Sequence, residues 1–536
     1  MITGPGYPGE DDVIILSATE FWTDYAEHIV DTIVDSESDG LESWLPAVSA
    51  DLMRALQNYI PKIAQPGMDI MLTWDEDALA LWKFLRDNVG DLLESIAAVP
   101  GINLLQELVT LLLHVLPAKD WQNLEAIVFC IVCIADGVNM TVEEDAIRAI
   151  MGSSIFSDIS DFSTNAPVSL KRAVLKMIDG YASFIKSHPI YIPPVLTFLF
   201  TILERTPATE EKTADQAAKS FESLCSSCRH GLKQHLPELL LQCPRALSGP
   251  TANAYQKEKV MAALASIIQA LSTEEEKAGP LLSLIEVIEG DLNTAVQAIQ
   301  SGNQEYGELL GTTALQCLAS IGKGIQAPDD VYIDLDSDEE SGSKPTAPTA
   351  SQTFWTAEAG AAVQARILAC FQITAYLHNA GDAIDAACSV LRAGLAETES
   401  GPFVFPPSAT VLFISKANIT TSRIEAIIST ACTFVSAYSR RNAPHLFEEV
   451  LEVYKTIGRV IAGLGNPSND PQLAQLCVDF LQRLLTAYLD VLLAPSDEEV
   501  AGVLNFALIC LTGEAPMLKR SVCGFFVSLD LAFLCT

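Results

Sequence analysis

The sequence predicts an all-α chain, a superhelical solenoid of paired helices of the HEAT-repeat, armadillo-like kind, and three observations carry that prediction. Apolar residues recur at spacings of three and four along nearly the whole chain. No run keeps a period of two, so no sheet is predicted. The chain has 536 residues, more than one hydrophobic core accommodates, and its helices of roughly 15 to 20 residues pair at a repeat of about 40, as HEAT and armadillo arrays do. The period comes from helix spacing, because exact self-similarity is weak.

The helices read in order as follows. Residues 17–36 place Phe21, Trp22, Tyr25, Ile29 and Ile33 on one face, with Ser17 and Glu20 as a capping box in front. The same grammar recurs at 78–99, 102–117, 121–136, 168–188, 193–207, 213–232 and 258–272. It resumes at 363–381, 422–441, 443–465 and 472–493, and short Pro, Gly, Ser or Asp turns separate the helices. The segment 187–203 has no charge for 17 residues, but Pro189, Pro193 and Pro194 stand near its start. It falls short of the about 18 apolar residues a membrane span needs, and reads as a buried helix with a Pro-rich entry.

Residues 327–355 break the pattern with an acidic run, Gly, Ser and prolines, a composition too polar to order itself. The expected organisation is therefore a helical array over 1–326, a disordered acidic insertion over 327–355, and a second array over 356–536. The chain closes on an apolar helix, SVCGFFVSLDLAFLCT, and opens almost directly into the Phe-Trp helix. Solenoid ends need polar caps, so neighbouring repeats are expected to be missing at both ends.

Composition narrows the function. Hydrophobic residues make up 49% of the chain and the mean hydropathy is +0.27, as expected where every helix pair buries apolar surface. No basic n-region or apolar h-region opens the sequence, so no secretory signal is read. Thirteen cysteines scattered through apolar runs fit a reducing compartment. The net charge is −36, from 68 acidic and 32 basic residues. That field repels nucleic acid and anionic membrane and attracts basic proteins.

Candidate chemistry is sparse. Cys130 with Cys133, and Cys225 with Cys228, form C-x-x-C pairs, the second with His230, His235 and Cys243 nearby. Both lie in helical apolar stretches, where a spacing of three places two small hydrophobes on one face; packing is the reading, and no metal or cofactor is expected. The seven histidines (His28, His114, His188, His230, His235, His378, His445) form no H-E-x-x-H pattern, and no Walker, G-x-S-x-G or G-x-G-x-x-G signature occurs. No enzyme is predicted.

The acidic insertion is the sharpest functional feature. Val331, Ile333 and Leu335 alternate with polar positions ahead of an acidic run holding Asp334, Asp336, Asp338, Glu339 and Glu340. Two readings follow from the residues: a SUMO-interacting core that adds a β-strand to a basic-flanked groove, or a solvated linker. Ser337, followed by acids, fits an acidophilic kinase site, where phosphorylation adds negative charge.

Three stretches resemble the importin-13 and transportin-3 branch of the importin-β superfamily. In residues 120–138, Trp121 and then Glu125-Ala126 open a long apolar run that ends in Ile134-Ala135. Cys225, Ser226, Cys228 and Arg229 precede a Gln234-His235 pair, and Ala515-Pro516 precedes Cys523-Gly524-Phe525-Phe526. The resemblance covers most of the chain and implies the middle and much of the C-terminal half of a nuclear transport receptor, without the N-terminal arch that carries the main Ran-GTP surface. It implies basic protein cargo on an acidic concave wall, Phe-Gly nucleoporins in apolar grooves between outer helices, release by Ran-GTP, and shuttling between nucleus and cytoplasm, and it adds a third reading of the acidic insertion, a contact for basic cargo or Ran. The alternative is a HEAT-repeat scaffold or adaptor outside nuclear transport.

Overall fold

A computed structural model describes residues 6–8, 12, 14–35, 44–161, 163, 165–247, 252–326, 354–377, 380–397, 399–441 and 444–535. Among these residues the regular elements are helices, and one isolated bridge joins Pro8 and Asp12. The fold is an all-α HEAT-repeat solenoid. The chain divides into two compact units, Met1–Leu232 with Gln242–Gln256, and Lys233–Leu241 with Lys257–Thr536.

In the first unit the main helices are α1 (Ile15–Asp35), α2 (Leu45–Ile63), α3 (Glu76–Ala97), α4 (Leu104–Val115) and α5 (Trp121–Cys133). They continue as α6 (Glu144–Met151), α7 (Ile155–Ser160), α8 (Val168–Gly180), α9 (Ala182–Ser187), α10 (Ile192–Arg205) and α11 (Glu211–Ser227). One row of neighbours runs α1, α3, α5, α8, α11. Hydrogen bonds along it carry the repeat length: Arg86 to Glu125, 39 residues apart, and Arg172 to Thr213, 41 apart. Asp75 and Asp120 cap α3 and α5 by accepting from Ala78 N and Asn123 N, which satisfies first-turn donors. Pro193 and Pro194 sit in the first turn of α10, where a missing N–H costs nothing, and Phe198, Leu199 and Ile202 beyond them are buried. Among the described residues no helix is long and apolar enough to cross a membrane.

The start of α1 corrects the sequence reading. The helix begins at Ile15, and the Asp12 carboxylate, not Ser17, accepts from the backbone N–H of Ile14 and Ile15. The buried stripe is Ile15, Ala18, Ala26 and Ile29, whereas Phe21 is 58% exposed. Small residues face the interior because α1 lies close along α3. The aromatic side chains of Phe21, Trp22 and Tyr25 cluster on one another instead.

Two helices, α12 (Leu236–Ala246) and α13 (Ala254–Gln269), contribute residues to both units. The second unit then holds α14 (Glu274–Gln300), α15 (Gln304–Gly324), α16 (Glu358–Cys370), α17 (Gly381–Ala396), α18 (Pro407–Ser415) and α19 (Ile424–Arg440). It ends with α20 (Phe447–Leu464), α21 (Pro471–Ala487), α22 (Leu489–Leu493), α23 (Asp497–Thr512) and α24 (Pro516–Cys535). One row runs α15, α17, α19, α21, α24, and a second includes α18, α20 and α23. Arg441 to Gly394, 47 residues apart, and Gln482 to Ser528, 46 apart, repeat the period. One continuous apolar core joins α17 through α24.

Candidate functional site

A groove of about 760 Å³ opens between α20 and α23 in the second unit. Helical spacing builds it. On α20, Tyr454, Gly458 and Ile461 follow at four and three residues, with Gly465 just past the helix end; on α23, Gly502, Val503, Phe506 and Ile509 supply the facing stripe. Tyr454, Ile461, Val503 and Phe506 are buried, and Ile509 is 40% exposed at the mouth.

Glycine keeps the groove open. A Cβ at Gly458, Gly465 or Gly502 would meet no heavy atom within 4 Å, so the width there is empty space between helices, not tight backbone contact. Gly465 ends α20 with φ +65°, the left-handed region that glycine adopts freely. Ser496 and Glu499 form a capping box that fixes the start of α23. Burial and the Glu499 carboxylate push the Tyr454 phenol up to about 12, so it stays neutral. The rim is charged: Arg459 Nη2 lies 3.9 Å from Glu452 and donates to Thr456. An apolar trough with a polar rim suits a short hydrophobic segment of a protein ligand.

The acidic-loop residues Val331, Ile333, Asp334, Leu335, Asp336, Ser337, Asp338, Glu339 and Glu340 lie outside the described residues. Their flanks are described. Gln326 Nε2 donates to Ala393 O at 2.8 Å. Trp355, 1% exposed, donates from Nε1 to Glu274 Oε2 at 2.6 Å. Trp355 is thus an anchor in the core of the second unit, although its sequence neighbours read as linker.

The C-x-x-C pairs sit where helical packing puts them. Cys130 and Cys133 are on α5; Cys225 is on α11, and Cys228 follows directly as its C-cap. Burial raises all four thiols, Cys133 and Cys228 to about 11, which keeps them protonated and poor as nucleophiles. Among the described residues no three His, Cys, Asp or Glu side chains gather as a metal site. His188 instead joins repeats: it stacks on Phe184 and bonds Glu144 at 3.1 Å.

Stacked helix pairs with an apolar groove between neighbours define a helical-repeat protein. Residues 152–242 match the family model of the transportin-3/importin-13 third TPR domain, a region that contains the Cys225–Arg229 motif. The importin beta-like protein kap111 of Schizosaccharomyces pombe is 21% identical over 426 residues, 77% of this chain and 40% of that protein. A solved structure of importin-13 in its cytosolic state superposes over 98% of this chain and 56% of its own length, with a TM-score of 0.75 at 16% identity. An importin-β structure superposes with a TM-score of 0.51 at 11% identity, over 98% of this chain and 66% of its own. One domain model, one curated relative and these solved structures thus make the chain similar to importin-13-like proteins of the importin-β superfamily. The chain spans less than two thirds of each of these relatives.

Proposed function

We propose that this chain is the cargo-carrying part of a nuclear transport receptor of the importin-13/transportin-3 type, and that the α20/α23 groove takes the phenylalanines of Phe-Gly nucleoporins. The groove carries this reading. Burying one phenylalanine side chain contributes about 1.5–3 kcal/mol, so single contacts are weak and exchange quickly, as passage through a pore meshwork requires. The net charge of −36 draws basic protein cargo to the acidic surface of the arrays over 1–326 and 356–536, with the run Asp334 to Glu340 as a further contact for a basic partner. Ran-GTP then favours the cargo-free form of the parent receptor, which shuttles between cytoplasm and nucleus.

The experiment is a titration of the chain with a Phe-Gly repeat peptide, followed by NMR or fluorescence, with a Ser-Gly peptide as control. Gly458→Leu and Gly502→Leu fill the trough without meeting a neighbour at Cβ, so the helices stay folded while Phe-Gly binding falls about tenfold, as expected for losing one buried aromatic contact. Unchanged binding by both variants removes the groove from the proposal. If in addition the full-length parent shows no GTP-dependent capture by Ran, the scaffold alternative takes its place.

A further inference from the structure

Residues 327–353 interrupt the second unit in sequence, yet the helices on either side hold one another directly. Helices α14 and α15 precede the interruption, and α16 and α17 follow it. Helix α15 lies along α17, and Leu315, Leu318 and Ile321 of the first and Ala387, Val390 and Leu391 of the second are buried. Gly322 of α15 lets the two come close: a Cβ there would lie 3.0 Å from that of Ala393 and 3.2 Å from the Phe403 ring. Helix α14 likewise lies against α16.

Polar contacts cross the same break. Gln326, directly before it, donates to Ala393 O of α17 at 2.8 Å. Trp355, just after it, donates to Glu274 Oε2 of α14 at 2.6 Å, while Glu274 Oε1 accepts from Lys277 at 2.7 Å. Both oxygens of that carboxylate are therefore in use. Arg366 of α16 grips Glu289 of α14 with two bonds, Nε to Oε1 at 3.0 Å and Nη2 to Oε2 at 2.5 Å, the strong fork geometry of a guanidinium on a carboxylate. Trp355 is also fixed on its own side, because Gly360 of α16 lies so near that a Cβ there would be 2.5 Å from Trp355 Cα. Each end of 327–353 is thus fastened to a helix from beyond the other end.

We propose that this crosswise fastening makes the second unit independent of the covalent link through 327–353, so that a partner bound at Asp334 to Glu340, or a phosphate added at Ser337, leaves the flanking helices in place. The insertion then recruits and does not switch the array. A flexible link between two bodies adds only effective concentration, in the millimolar range. Helix faces this extensively buried hold together at micromolar concentration without it. None of the fastening contacts uses a group from 327–353, and charge added there is damped over a Debye length of about 8 Å at physiological ionic strength. The same independence serves a transport receptor and a scaffold alike.

The test is the full chain with a site-specific protease sequence placed after Gly342 and cut once in native buffer. The two pieces are expected to co-elute on gel filtration at micromolar concentration, with helical circular dichroism unchanged. Trp355→Ala, which removes a buried aromatic and its hydrogen bond, is expected to weaken the association of the pieces about a hundredfold or more. Arg366→Ala, at a side chain 37% exposed, is expected to weaken it only several-fold and to leave each piece folded. In the uncut chain Ser337→Glu is expected to leave the melting temperature where it is. Separation of the pieces or loss of helix on cutting overturns the proposal, as does association that neither variant weakens. A melting temperature moved by Ser337→Glu as far as by Trp355→Ala also overturns it.

Discussion

Arg86 is held by three groups distant in sequence, Ile63, Glu125 and Phe129, and by Trp82 one turn before it. Its Nη1 donates to Ile63 O and Glu125 Oε2, each at 2.9 Å, and its Nη2 to Glu125 Oε1 at 2.8 Å. The guanidinium stands 4.1 Å from the Phe129 ring centre and 5.0 Å from that of Trp82. Both charges are taken out of water, so the bidentate geometry repays a desolvation penalty before it stabilises anything. Removing one partner strands the other: Glu125→Ala is expected to cost about 3–5 kcal/mol in a urea denaturation of the chain. Arg86→Met with Glu125→Leu is expected to recover most of this, short of about 1–3 kcal/mol for the Ile63 carbonyl left without its donor. A double variant no better than the single one contradicts a penalty that arises from stranded charge. The sequence marks Glu125 only as part of a helical motif. That it lies buried opposite an arginine 39 residues earlier depends on how two repeats stack, which local pattern does not encode. The Asp12 cap of α1 escaped for a related reason, since Ser17 and Glu20 satisfy the capping-box spacing without being at the helix end.

Helices with a strong apolar stripe were legible from spacing: α3, α5, α10, α19 and α21 fall where the 3–4 pattern places them. In the pair α14 and α15 the pattern is diluted: α14 buries Leu281, Leu284, Ile285, Ile288 and Leu292 at helical spacing, whereas α15 sets Gly307, Gly311, Ala314 and Gly322 among its buried Leu315, Leu318 and Ile321. Gly311 on α15 sits with its Cβ position 2.8 Å from Leu377 and 3.6 Å from the Ala295 Cβ on α14, and Pro280 lies within the first turns of α14. The groove was legible only as a kind of feature expected between helices, since a glycine in a helical run reads the same whether it admits a neighbour or leaves a gap. Structure separates the two cases. A Cβ at Gly394 of α17 would collide with the Phe403 carbonyl oxygen, whereas one at Gly458 of α20 would meet nothing within 4 Å. Gly458→Ala is therefore expected to stabilise the chain by about 0.5–1 kcal/mol through helix propensity. Gly394→Ala is expected to cost several kcal/mol, more than about 4, by displacing backbone. Thermal melts of the two variants check this, and shifts of the same sign would mean that the glycines of α17 and α20 are equivalent.

At the scale of the whole molecule the balance of charge, more than any single contact, sets the response to solution conditions. With 68 acidic and 32 basic residues, unpaired carboxylates repel one another across the array, and compaction raises that cost. The ion pairs pull the other way, but the exposed ones, such as Arg54–Asp51 and Arg423–Asp382, are worth only about 0–1 kcal/mol each. Lys62–Asp12 and Arg86–Glu125 are nearly buried, and salt reaches them little. Repulsion acts over longer distances: the Debye length is about 30 Å at 0.01 M and about 8 Å at 0.15 M. Raising NaCl across that range is therefore expected to increase the urea midpoint of the chain without changing the slope of its transition, and a falling midpoint would show that specific pairs outweigh the net field. The same salt acts oppositely on a basic ligand, whose attraction to the acidic surface it screens. Folding stability and affinity for basic cargo should accordingly move in opposite directions over one salt series measured on one preparation. A carrier whose cargo affinity rose together with its stability would be held to its ligand by apolar contacts, and the acidic field would then have no part in binding.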